Sequence, residues 1–112
     1  MDETLEISFE DCSQADAARF AQDLEQQLRE TDPSAKLSFK KERPDSQDFG
    51  ATLVLVFGTP VAIALAKGVS TFLQRNAGAS IRISKSGEVI ATNLDSRDAS
   101  RIVEAFAGKK RS

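Results

Sequence analysis

The chain has 112 residues, 29% charged and 40% hydrophobic, with a formal net charge of -2. That size and balance fit one globular domain able to bury a core without staples. It has no histidine, tryptophan or tyrosine and a single cysteine, Cys12; this excludes an internal disulfide and removes the commonest general base and metal ligand.

The acidic start "MDETLEISFE" lacks the apolar core of a secretory leader. Within it "TLEISFE" alternates, with Leu5, Ile7 and Phe9 on one face and Thr4, Glu6, Ser8 and Glu10 on the other. That is a half-buried strand. "DCSQADAARFAQDLEQQLRE" follows. Ser13 and Asp16 resemble a capping box, and Ala17, Phe20, Ala21, Leu24 and Leu28 recur at helical spacing. "TDPSA" breaks the helix. "KLSFKK" alternates again, with Leu37 and Phe39 inward and Lys36, Ser38 and Lys40 outward. If these two strands are neighbours, Glu6 and Glu10 face Lys36 and Lys40 as cross-strand ion pairs.

"ERPDSQDFG" is a polar loop, and the most apolar stretch follows at 52–73. From Phe49 to Ala66 there is no charge, about the lower length limit of a membrane span. Gly58, Thr59 and Pro60 interrupt it, with Thr59 suited to an N-cap and Pro60 to the first helical position. A helix from Pro60 gathers Val61, Ala62, Leu65, Ala66, Gly68, Val69, Phe72 and Leu73 on one face. Lys67, Ser70, Thr71, Gln74 and Arg75 fall on the other, where only Ile63 and Ala64 are apolar. A helix with a wet side belongs in a core rather than in a membrane, and Gly78 marks its end. The preceding "ATLVLVF" fits two descriptions. Its β-branched run suits a buried strand; it equally suits a short helix doubling back at Gly58.

"SIRIS" and "EVIAT" form a hairpin around "KSG". Asp95 or Ser96 then caps a helix with Ala99, Ile102, Val103 and Phe106 on its apolar face. Gly108 ends it, and the basic residues 109–112 read as a frayed tail. The pattern implies an α+β fold: a single two-layer domain over 1–112, with helices packed on one face of a sheet of about four strands. The element order is β-α-β-(α)α-β-β-α. If "ATLVLVF" is a strand, the order becomes ferredoxin-like with an added strand and helix.

The run "DFGATLVLVFGTPVAIALAKGVSTFLQRNAGASIRIS", the turn, "EVIATNL" and the last amphipathic helix resemble the bacterial effector-associated constant component family over positions 48–107. Where relatives often carry tryptophan and several arginines near the end of the long helix, this chain has Phe72 and Arg75. The resemblance implies a bacterial, non-enzymatic accessory component of conflict or immunity systems. It would act beside an effector such as a peptidase-like domain or a signalling NTPase. It also implies a packed helical pair in the middle of the chain, and so favours helix for "ATLVLVF".

No residue pattern contradicts a non-enzyme without cofactor or metal. Cys12 has no histidine to activate it, and Glu10 and Asp11 beside it oppose a thiolate. "FGTPVAIALAKG" does not match the phosphate-cradling G-x-x-x-x-G-K-[ST]. Asp11, Asp16, Asp23 and Glu25 spread around a solvated helix. Two functions of different class then follow. The first is a protein-interaction module with an exposed apolar patch around Phe57, Pro60 and Ile63. The second is a nucleic-acid binder using Lys36, Lys40, Arg82 and Lys85 on an open sheet face. Charge is uneven: 10 acidic and 2 basic residues through position 34 give -8, and 7 acidic and 13 basic residues thereafter give +6. Yet the basic residues are dispersed, and no aromatic sits at an outward strand position to stack on bases. The first reading is preferred: a cytoplasmic protein, monomeric or a weak homodimer, without a transmembrane span and with a protein rather than a nucleic acid as partner.

Overall fold

Alternation is the first rule the chain obeys. In the computed structural model, which describes residues 2–40 and 52–107, β1 (Asp2–Glu10) buries Leu5 and Ile7 completely and turns Thr4, Glu6 and Ser8 the other way. Asp11 makes the tight exit at φ 58°. The Ser13 hydroxyl then accepts a bond from Asp16 N at 3.0 Å, capping α1 (Gln14–Thr31). Ala17, Ala21, Leu24 and Leu28 form its buried stripe. The helix stops at Asp32, whose carboxylate accepts from the amide and hydroxyl of Ser34. β2 (Lys36–Lys40) follows.

The segment before the long helix is a strand, β3 (Thr52–Gly58), and not the helix that the family resemblance favoured. Leu53, Leu55 and Phe57 are buried, and Val54 and Val56 alternate with them. The reason is position. β3 lies between β2 and β1, so both edges of its backbone find ladder partners. A helix this short would satisfy few of its own groups and carry the whole cost of nucleation. A 3-10 turn (Thr59–Val61) leads into α2 (Ala62–Arg75). Thr59 caps neither: Gly58 stands at the N-cap of the turn and Val61 at that of α2, and no side chain bonds either end. α2 buries Ala62, Leu65, Ala66, Gly68, Val69, Phe72 and Leu73, the stripe its spacing implied. It ends at Asn76 rather than at Gly78: the side-chain amide and the backbone N–H of Asn76 both donate to the carbonyl of Phe72, at 2.9 and 3.0 Å.

β4 (Ser80–Lys85) and β5 (Glu88–Leu94) pair across Ser86 and Gly87, both with positive φ, 55° and 84°. Two left-handed residues match the twist of a tight hairpin. α3 (Ala99–Ala107) starts after Asp98, whose carbonyl accepts the first helical bond from Ile102. Asp95, expected as a cap, instead bonds Arg97.

The sheet order is β2-β3-β1-β4-β5, antiparallel throughout. β1-α1-β2-β3-α2-β4 is thus the ferredoxin-like arrangement, with β5 and α3 appended at one edge. The domain is α+β with two layers, and β3 makes one strand more than about four. The inward residues meet across the ladder as Leu5–Leu55, Ile7–Leu53 and Ile7–Ile83, beneath the helices. Phe9, Phe20 and Phe72 fill one end, with centroids 5.6 to 6.1 Å apart. β3 separates β1 from β2, so the strands that carry Glu6 and Glu10 and Lys36 and Lys40 are not neighbours as expected. Glu10 accepts from the amide of Asn93 at 2.9 Å. The loop at 41–51, Gly108 and the tail at 109–112 lie outside the described residues.

Candidate functional site

The expected apolar patch divides. Phe57 is 2% exposed and its ring stacks on Phe106 with centroids 5.6 Å apart. It is core, because its parity on β3 is that of Leu53 and Leu55. Pro60 lies on the exposed part of the 3-10 turn. Ile63 is 41% exposed one residue after the buried Ala62, since each helical step turns about 100° away from the core. Ala64 is exposed beside it. So Pro60 and Ile63 are exposed at the start of α2, and Phe57 is buried in the core.

The basic set divides too. Lys36 and Arg82 are exposed on the sheet face turned away from the described helices. Lys40 shares that face by its register with Thr52; its side chain lies outside the described residues. Lys85 does not join them. It has the parity of Ile81 and Ile83, and its ammonium reaches the Glu3 carboxylate at 2.9 Å. The same open face holds Glu6 and Glu10, with hydroxyls between them; Ser8 and Thr52 bond each other at 3.2 Å. Among the described residues this face has no aromatic side chain.

Sequence reasoning missed a second apolar surface. Val89 is 51% and Ile90 44% exposed on β5, the outer strand. Two adjacent apolar residues break the alternation of "EVIAT", and that was the available signal. The ladder shifts register there, between Ile83 and Ser84 of β4. A groove of about 270 Å³ between α1 and the end of α2 was also unannounced. Asp23, Glu30, Gln27 and Arg75 line it, and Arg75 donates to the side-chain Oε1 of Gln27 at 3.3 Å.

The reactive groups are quiet. The Cys12 thiol is half-buried, and burial first, then the carboxylates of Asp16 and Asp11, push its pKa up. It stays protonated at neutral pH. Asp16 pairs with Arg19 at 3.0 Å and Glu25 with Arg29 at 2.6 Å along α1, while Asp23 is exposed. Among the described residues no group of three His, Cys, Asp or Glu is placed to hold a metal ion. No helix among them is long and apolar enough to cross a membrane. The chain matches no family model, no curated protein and no solved structure.

Proposed function

We propose that the protein is a non-catalytic accessory module that binds a protein partner through the surface at the start of α2. The observation that carries this is Ile63. It is the one large apolar side chain of α2 left exposed, at 41%, while Leu65, Val69, Phe72 and Leu73 are buried. Pro60 and Ala64 stand beside it in the open. Covering such a residue is favourable by roughly 25 cal/mol per Å² of apolar surface, and the helix would fold as well with a polar residue there. The class of partner rests on the residue pattern of 48–107 alone: an effector of a bacterial conflict system, peptidase-like or a signalling NTPase. In this reading the protein works in the cytoplasm, where a lone thiol stays reduced.

Ile63→Lys tests it. The tagged full chain, captured from its native host, should bring down one stoichiometric protein partner. The variant should keep its circular dichroism and thermal midpoint and lose that partner. Unfolding would make Ile63 a core residue, and undiminished capture would move the binding surface elsewhere.

A further inference from the structure

β5 pairs with β4 along a register that changes twice. At the hairpin Lys85 faces Glu88 and Ser84 faces Val89, as a two-residue turn requires. Next Ile83 faces Ala91, and then Ile81 faces Leu94. One step on β4 thus spans two residues of β5, and the following two steps span three, so β5 holds two extra residues. The first shift turns Ile90 out, 44% exposed beside Val89. The second includes Asn93, which lies in the left-handed region at φ 55°. That conformation suits asparagine and disfavours β-branched residues. The same hairpin turn also sets out a register without the two shifts. Continued from Ser84–Val89, it pairs Ile83 with Ile90, Arg82 with Ala91 and Ile81 with Thr92. Ile90, Thr92 and Leu94 then point inward by simple alternation. Ile90 takes the inward place that Ala91 holds in the structure, and Thr92 that of Leu94. The shifted register buries Leu94 completely and leaves Ile90 exposed. The straight one buries Ile90 and moves Leu94 two residues, about 7 Å, along the sheet.

We propose that β5 exchanges between these two registers, the shifted one dominant and the straight one populated on the order of 1%. β5 is the outer strand, with β4 as its one neighbour in the sheet, so sliding it breaks a single ladder. At the Ile81 end the displacement is two residues, which keeps the inward face inward. Each register buries one large aliphatic side chain of β5 that the other displaces, so apolar burial favours neither strongly. Few polar contacts hold the dominant register: the Asn93 amide donates to Glu10 at 2.9 Å, and Arg101 reaches the Thr92 carbonyl at 3.5 Å. Residues 95–98, which join β5 to α3, can span roughly 13 Å, enough to absorb the slide while α3 stays on the core. The exchange governs an apolar surface. Ile90 stands beside Val89 in the dominant register and withdraws from it in the straight one.

NMR relaxation dispersion and exchange saturation transfer at the amides of β5, on the isotope-labelled full chain, test this. The wild type should show one shared exchange rate from Ile90 to Leu94. Asn93→Val should raise the minor population about tenfold, because only the dominant register needs left-handed backbone there, and should bring contacts between the Ile90 and Ile83 methyl groups into view. Asn93→Gly, which adopts positive φ freely, should lower that population. Ile90→Ala should leave the thermal midpoint nearly unchanged, the residue being exposed in the dominant register, and should reduce the exchange by removing what the straight register buries. If Asn93→Val loses its fold, the other two variants decide. Flat profiles across β5 in the wild type overturn the proposal. So does exchange that persists unaltered in Ile90→Ala, since simple fraying of an outer strand does not depend on that side chain.

Discussion

Asp95 shows what one exposed residue does when its neighbours organise it. Its carboxylate accepts from the Arg97 guanidinium at 2.8 and 3.3 Å and from the Arg97 amide at 2.9 Å. Those bonds, side chain first, hold its pKa down to about 2. An unfolded aspartate titrates near 3.9, so the unfolded chain binds this proton more readily. The stabilisation is complete above that value and is lost as pH falls toward 2. In Arg97→Ala, the Asp95 carboxyl followed by NMR should titrate near the ordinary aspartate range; an unmoved midpoint would exclude Arg97 as the cause. From the sequence Asp95 reads as a helix cap. The side chain closes a local turn instead, and Asp98 takes the place at the helix start, because short acidic side chains suit either role. Ser13 is the opposite case: its spacing from Asp16 and its bond in the structure agree.

At the scale of elements the two long helices were legible, and so were the ends of α1, but the ends of α2 were not. The buried stripes of α1 and α2 follow from spacing alone. The caps depend on which side chain reaches a carbonyl of the last turn, and Asn76 bonds that of Phe72 before Gly78 is reached. Gly68 shows what packing adds. A Cβ there would lie 2.9 Å from Leu28 Cδ2 and 3.0 Å from Thr31 Oγ1. Leu28 is fully buried and the Thr31 hydroxyl is fixed to the carbonyl of Gln27 at 2.8 Å. Gly68→Ala gains about 1 kcal/mol of helix propensity. It should lose more than that to overpacking at the α1–α2 contact, which typically costs about 1–3 kcal/mol. The thermal midpoint should fall by a few degrees, about 4–8 °C per kcal/mol for a domain of this size. A rise would show that Leu28 yields easily and that the close approach is loose.

For the whole molecule, strand order decides which charges work together. Among the described residues the basic side chains of the sheet do not gather: Lys36 and Arg82 share a face with Glu6 and Glu10, and Lys85 pairs with Glu3 across the end of the sheet. Single-stranded RNA should therefore show no saturable binding at physiological salt, measured by fluorescence anisotropy. Tight binding that weakens steeply with salt and falls in Arg82→Glu would assign the open face to nucleic acid. The sequence by itself determined the α+β class, the inward face of each amphipathic strand and helix, and the wet side of α2, because period and composition are local properties. It did not determine whether 52–58 is strand or helix, that Phe57 is buried while Pro60 and Ile63 are exposed, or that β3 separates the acidic strand from the basic one. Those follow from which strands become neighbours, and neighbours distant in the chain are chosen by the burial of the whole core.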